Sequence, residues 1–396
     1  MNKNISTLYN IAQKEIRSII GLMSGTSLDG LDVALCSFKG SGLQTEMELL
    51  QFETIPYKKD FKSEIKTIFS KENISLQKLT LLHSWVGAQH GNMVNTILQK
   101  WNKKNTDIDI IASHGQTIYH APKTLHGLSK FENATLQIGD GDHIAVTTGI
   151  ITLSDFRQKN IAAGGEGAPL AVYGDYLLFG KHGEDRILLN IGGIANFTFL
   201  SGSMDASKIF STDIGAGNTI MDAYIQQHFY GKYFDENAAI ALHGNIDQSL
   251  LSALKENAFF KKDFPKTTGP ELFNLNYLMD AQQKSNTNNL SNYDVMATLN
   301  KFSADMIVAA IKEITTNKNV FVYSSGGGMH NPLLMQNIKE QLPELKFKTT
   351  YDLSINPDAK EAVLFALLAN EALCGGETNF GKTAPSVSMG KISFPR

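Results

Sequence analysis

The chain has 396 residues, 42% of them hydrophobic and 19% charged, with a formal net charge of -3. That length accommodates two domains, and so small a charge directs no field at nucleic acid or an anionic membrane. The two cysteines, Cys36 and Cys374, form no CxxC pair, and the ten histidines show no HExxH spacing, so neither a disulfide framework nor a zinc site is expected. The first 20 residues lack the apolar core of a signal peptide, and the longest apolar run, 362–369, is far below the roughly 20 residues that span a bilayer. A cytoplasmic protein is the expectation.

Residues 1–15 are polar and predict a short helix or tail. Residues 19–35, IIGLMSGTSLDGLDVAL, place Gly, Ser, Thr and Asp between two apolar runs, and 32–36 returns as a strand, which predicts a β-hairpin. Phe61, Ile65 and Phe69, followed by the stretch from Leu79 to Trp101, carry helical spacing. IDIIASHGQT (108–117) is an apolar strand ending in a polar turn, and 136–156 continues with short strands and a short helix. AAGGEGAPLAVYGDYLLFG (162–180) is a glycine loop running into a helix, with Pro169 near its first turn. RILLNIGGIANFTFL (186–200) repeats strand, glycine turn, strand, and TDIGAGNTIMDAYIQQHF (212–229) is strand, glycine loop, helix. Residues 246–315 are mainly helical around a solvated loop at 284–292. In 320–342 a strand, a triple-glycine turn and a helix follow one another, with Asn331 and Pro332 at the N-cap and first helical positions. A helix over 360–376 closes on glycine.

This order predicts an α/β protein with two similar halves, each opening on a glycine-turn hairpin. Ligands of such sheets sit at the carboxyl ends of strands, so the glycine turns are expected to converge on one cleft. Glycine lets backbone N–H groups approach an anion closely, and Ser24, Thr26 and Ser27 add hydroxyls. Asp29 and Asp32 repel phosphate unless a divalent cation or its waters lie between. The segment is therefore either a phosphate clasp with carboxylates for magnesium or a tight hairpin with Asp at turn positions.

Other candidates carry two readings each. Asp213, at the end of an apolar strand, is a general base or the cap of the following turn; Asp222, one turn into the helix, reads as structural. His114 touches a sugar hydroxyl or is a satisfied structural histidine. Arg157 pairs with a carboxylate or phosphate, or makes a surface salt bridge. Glu361 opens the late helix, where it compensates the dipole. Residues 376–383, GETNFGKT, match the P-loop pattern letter by letter, but a helix precedes them and Pro385 follows, so the match is read as coincidence.

GLMSGTSLDGLDVAL, ASHGQTIYH, LQIGDG, DFRQKNIAAGGEGAPL, LNIGGIANFT, TDIGAGNTIMDAY, FPKTTGPELFNL and SSGGGMHNPLL occur in an order that resembles the anhydro-N-acetylmuramic acid kinase family of bacterial cell-wall (peptidoglycan) recycling. The resemblance runs from Ile19 to near the C-terminus. It implies two related actin-like (ribonuclease-H-like) α/β domains with a nucleotide cleft between them: domain I over 1–182 with 375–396 returning to it, and domain II over 183–374. It implies ATP and Mg2+, a small-molecule amino sugar as partner, no nucleic acid and no membrane, with a homodimer left open. The implied reaction opens the 1,6-anhydro bridge with water and transfers the γ-phosphoryl group to O6. Asp213 matches the family's base. Gly25, Thr26, Ser27, Leu28, Asp29, Gly30, Leu31 and Asp32 would hold the ATP phosphates, with Asp29 and Asp32 reaching Mg2+ through water. Gly192, Gly193 and Asn196 would form the second phosphate loop, and Gly326, Gly327 and Gly328 would face the adenosine. His114, Arg157, Gly164, Gly165 and Glu361 are the sugar-binding candidates, the first four for its lactyl carboxylate. The chain departs from the family pattern at TDIGAGN, where FDCGPGN is usual, and at GGEGAPL, where Glu166 replaces glutamine and brings a negative charge to a proposed anion site. Two other readings stay open: a kinase of the same superfamily for another sugar, and a non-catalytic ATP-binding module.

Overall fold

The computed structural model describes residues 1–25, 27–167, 170–315, 319–353, 356–375 and 385–396. Thr26, Pro169 and the P-loop-like stretch 376–383 lie outside the described residues. The chain divides into two compact units, Met1–Phe179 with Asp358–Arg396, and Gly180–Pro357.

In the first unit the predicted hairpin is β1 (Ile16–Ser24) and β2 (Gly30–Lys39), paired antiparallel with Met23 opposite Asp32 and Ser24 opposite Leu31. β3 (Glu46–Pro56) extends it as an edge strand. β4 (Ile110–Ala121) runs parallel to β1, β6 (Thr152–Ser154) runs parallel to β4, and β5 (Ala134–Ile138) pairs with the far end of β4. The C-terminal strand Lys391–Ser393 closes the sheet, pairing antiparallel with β6. One face of the sheet packs Ile20, Leu22, Val33 and Leu35 against Leu82, Val86 and Val94 of the helix Leu76–Lys100.

The helix Lys360–Cys374 covers β1 directly: a Cβ on Gly21 would lie 1.8 Å from the Ala362 carbonyl oxygen. Only glycine permits that approach. This helix therefore belongs to the first unit, whereas a boundary at 374/375 assigns it to the second. The crossing falls instead between Pro357 and Asp358.

The second unit repeats the pattern. β7 (Asp185–Ile191) and β8 (Ile194–Leu200) form the second glycine hairpin, β9 (Phe210–Ala216) pairs antiparallel with β8, and β10 (Val320–Ser325) and β11 (Lys346–Thr349) run parallel to β7 in turn. The strand order is β11-β10-β7-β8-β9, matching β6-β4-β1-β2-β3 of the first unit. Both sheets thus show the 3-2-1-4-5 order expected of ribonuclease-H-like domains. Asn331 caps the helix Pro332–Gln341 through Leu334 N–H (3.0 Å), with Pro332 in its first turn as expected. Among the described residues, no helix is long and apolar enough to cross a membrane.

Candidate active site

In the first unit the β1–β2 turn, from Gly25 to Gly30, is held from within. Leu28 adopts a positive φ of 58°, uncommon for a residue with a large side chain, and its side chain is buried in the core. Its N–H donates to the Gly25 carbonyl (3.3 Å), and Tyr57 N–H donates to the Asp29 carbonyl (3.0 Å). Ser27 and Asp29 are exposed, while Gly30 and Leu31 are buried in the strand that follows. A Cβ on Gly30 would lie 2.5 Å from the Ile55 carbonyl oxygen, so β3 fixes glycine there. Asp32 is half-buried and accepts a 2.5 Å bond from Thr54 Oγ1. Burial raises its pKa; the Thr54 bond opposes that, and the carboxylates of Asp358 and Asp29 add to it.

Beside this turn the structure gathers three of the sugar-site candidates. Arg157, in the helix Phe156–Ala162, donates from Nε to His114 Nε2 (2.9 Å) and from Nη1 to the Gly167 carbonyl (2.6 Å). His114 is buried, with its ring 4.7 Å from that of Phe365. Because Nε2 accepts, the neutral ring carries its proton on Nδ1. Burial first, and then the Arg157 charge, lower its pKa to about 3. His114 thus supports Arg157 through Nε2. Glu361, in the first turn of its helix, is solvent-accessible and crowded on its inner side; dehydration raises its pKa, Arg157 lowers it, and Asp32 raises it again. It therefore lies within electrostatic reach of both Arg157 and Asp32.

The Gly164–Gly165 turn offers less than its composition suggests. Gly164 N–H donates to the Ile161 carbonyl (2.8 Å) and Gly165 N–H to the Asn160 carbonyl (2.9 Å), while Gly167 N–H donates to Asn160 Oδ1 (2.8 Å). These donors are spent internally, whereas the Arg157 guanidinium brings a positive charge to this corner. Glu166 is exposed.

In the second unit, register places side chains that sequence spacing does not. Ser325 pairs with Asn190, Asn190 with Asn196, and Asn196 with Asp213, so one polar row crosses four strands on one face. The β8–β9 register shifts between Ala195 and Asn196, leaving Ile214 as the extra residue of a bulge just after Asp213. Bulges re-aim side chains in this way. Asp213 Oδ2 accepts Thr268 N–H (2.9 Å), and its Oδ1 meets no donor among the described residues. Asp213 N–H donates to the Lys266 carbonyl (2.9 Å), and Thr212 Oγ1 accepts Lys266 N–H (2.9 Å). The carboxylate is half-buried; burial raises its pKa, the Thr268 bond opposes this, and Glu271 raises it further. Asp213 is thus an oriented, partly dehydrated carboxylate rather than a turn cap.

Gly192 and Gly193 present their carbonyls to the N–H groups of Gly217, Asn218 and Thr219 (2.8–3.0 Å). The hairpin therefore takes up the N–H of Thr219, the first residue of the helix Thr219–His228, and those of the two residues before it. Around the triple glycine, Gly326 has φ 81° and a Cβ there would lie 2.7 Å from Asn190 Oδ1; a Cβ on Gly328 would lie 2.3 Å from Ile191 Cγ2. Gly327 is exposed, and a Cβ there would meet nothing closer than 3.9 Å. Two of the three glycines serve close packing on the β7–β8 hairpin, and the middle one faces open space.

A family model described as Anhydro-N-acetylmuramic acid kinase matches residues 17–389. The chain belongs to the anhydro-N-acetylmuramic acid kinase family. It is 59% identical to the anhydro-N-acetylmuramic acid kinase of Pseudoalteromonas atlantica (strain T6c / ATCC BAA-1087), over 100% of both chains. It is 57% identical to that of Pseudoalteromonas translucida (strain TAC 125), again over 100% of both. Against the Caldanaerobacter subterraneus subsp. tengcongensis enzyme, identity is 38% over 98% of this chain and 99% of the relative.

For a member of this kinase family, the structure adds residues that the motifs left without roles. Thr268 and Glu271, in the motif FPKTTGPELFNL, reach Asp213 through a backbone N–H and through charge. Asn190 and Ser325 extend the row that holds Asn196 and Asp213. Asp358 joins Asp29 and Asp32 in the acidic group of the first unit. The motif GGEGAPL had no reason to signal that its first two N–H groups turn inward.

Proposed function

We propose that the chain is an ATP-dependent kinase that opens 1,6-anhydro-N-acetylmuramic acid with water and phosphorylates O6, giving N-acetylmuramic acid 6-phosphate and ADP. Membership in the family over residues 17–389 carries the reading. The geometry of Asp213 supports the chemistry: one oxygen is held by Thr268 N–H, the other is without a donor among the described residues, and partial burial favours proton uptake. In this reading Asp213 takes a proton from the water that attacks C1. The C1–O6 bond breaks, and O6 forms its new bond to the γ-phosphorus while the bond to the β-phosphate oxygen breaks. Because phosphorus captures the leaving oxygen, no separate acid is needed, in contrast to an ordinary inverting glycosidase. Such a base contributes about 10²–10⁴-fold, and positioning and charge stabilisation supply the rest.

The first unit's turn at Gly25–Asp32 would hold the nucleotide phosphates, with Arg157 and Glu361 directed at the sugar. Asp29 and Asp32 suit Mg2+ held through water: burial first, and then the carboxylates of Asp358 and Asp29, raise the Asp32 pKa, and a divalent cation would offset that crowding of negative charge. The ion, when bound, neutralises phosphate charge. In the second unit, Gly192, Gly193 and Asn196 would serve the phosphates, and Gly326–Gly328, with Gly327 outermost, would serve the adenosine. The test is ADP release in the presence of MgATP and each of a panel of sugars. The anhydro sugar should drive turnover and plain hexoses should not; equal or greater turnover with a plain hexose overturns the substrate assignment.

A further inference from the structure

Behind the β1–β2 turn lies a chain of buried, uncharged side chains. Ser24 Oγ donates to Gln116 Oε1 (2.5 Å), Tyr57 Oη lies 2.6 Å from Ser24 Oγ, and His90 Nε2 lies 2.9 Å from Tyr57 Oη. Gln116 Nε2 faces the carbonyls of Gly25 (3.3 Å) and Thr117 (3.1 Å). All four residues are buried.

The direction of every bond follows from the amide. Gln116 Nε2 can only donate, and it meets two carbonyls, so Oε1 faces Ser24 as an acceptor. Ser24 spends its single hydroxyl proton on Oε1, so Tyr57 must donate to Ser24. Tyr57 has one proton as well, so His90 must donate from Nε2. His90 Nδ1 is then a bare lone pair, in keeping with its lack of a partner among the described residues. Burial lowers the His90 pKa to about 4, which keeps the ring neutral. The chain therefore runs one way, from His90 through Tyr57 and Ser24 to Gln116 and on to the Gly25 carbonyl.

Tyr57 also holds the opposite end of the turn, since its N–H donates to the Asp29 carbonyl (3.0 Å). Leu28 is anchored in the same core cluster as Tyr57 and Phe61. The turn is thus gripped at Ser24, Gly25, Leu28 and Asp29. Holding the Gly25 carbonyl inward matters for an anion site, because an outward carbonyl would repel phosphate.

We propose that Tyr57 and Gln116, with His90 behind them, are positioning residues that fix the β1–β2 turn in its nucleotide-binding conformation. The inference rests on the reading of that turn as the phosphate clasp. It predicts an effect on nucleotide affinity that packing alone does not produce. Tyr57→Phe keeps the ring, which stacks on Phe61 at 4.0 Å, and removes only the hydroxyl. Gln116→Met keeps the length and removes the amide.

The experiment is calorimetric MgATP binding without sugar, together with steady-state kinetics and thermal melting, on wild type, both variants and the double variant. Each single variant should weaken MgATP about five- to tenfold and leave the KM of the anhydro sugar unchanged. The double variant should lose little more than the weaker-binding single variant, since the two act through one chain. His90→Gln, which retains a donor, should bind MgATP better than His90→Leu. Wild-type affinity in both single variants with a lowered Tm overturns the proposal in favour of a purely structural role; so do multiplicative losses in the double variant. A wild-type protein that binds MgATP but does not consume it with the anhydro sugar contradicts the substrate reading and leaves the positioning result to stand. A wild-type protein that binds no MgATP removes the clasp itself.

Discussion

Replacing Asp213 by Asn separates the base from the scaffold that holds it. Asn presents a carbonyl oxygen to Thr268 N–H in place of Oδ2, so the 2.9 Å bond survives as a neutral one. The cost to the fold is about 1 kcal/mol or less, the difference between a charge-assisted and a neutral hydrogen bond, and the lost dehydration penalty offsets part of it. Tm should move by no more than about 2–4 °C. Turnover should fall about 10²–10⁴-fold, equivalent to about 3–5 kcal/mol at the barrier, because amide nitrogen does not accept the proton from water. MgATP affinity should hold. In wild type, activity should rise with pH through a carboxyl pKa above the ordinary 3.8, because burial and Glu271 disfavour the charged form. Glu271→Gln removes the like charge and should move that acid limb to lower pH. The assay is sugar-dependent ADP release with calorimetric ATP binding alongside. An Asp213→Asn enzyme within tenfold of wild-type turnover would exclude Asp213 as the base.

Three further outcomes follow from the same geometry. Gly21→Ala forces a Cβ to within 1.8 Å of the Ala362 carbonyl, so the late helix must move and carry Glu361 with it; a loss of about 1–3 kcal/mol or more is expected, and an unchanged Tm contradicts the packing. Arg157→Met removes the bonds to His114 and Gly167 and should raise the KM of the sugar about tenfold or more without changing that of ATP; an unchanged sugar KM excludes Arg157 from the sugar site. Burial raises the pKa of Asp222 to about 6, so the folded state holds more protons than the unfolded chain between 3.8 and that value, and this carboxyl's contribution to stability falls as pH rises through the window. Asp222→Asn should therefore stabilise the protein at pH 7.5, by about 1 kcal/mol once solvent screening of a half-exposed group is allowed for, and not at pH 4; equal melting shifts at both contradict it.

The glycine hairpins were legible in the sequence because their strands are buried and apolar while their turns are not. β3 was not, since an edge strand with Glu46 and Glu48 outward shows no apolar run. The helix Lys360–Cys374 was visible as a helix, but its place on the first unit depends on the approach to Gly21, which no periodicity records. Asp213 could be singled out as a carboxylate ending a strand. Thr268 could not, because it acts through a backbone N–H that every non-proline residue possesses. The row from Ser325 to Asp213 appears only when register is known. The Gly164–Gly165 turn misled for a related reason: composition counts donors but does not show where they are spent.

Water attack at C1 and phosphoryl transfer to the bridging oxygen form the core of the account. The direct measurement is the reaction with MgATP in ¹⁸O-labelled water, quenched before anomeric exchange and read by mass spectrometry. The product should exceed the anhydro sugar by one water and one phosphoryl group, with the label at C1 and none in the phosphate ester. Label in the phosphate, or ADP formed while the anhydro sugar remains closed, would contradict it.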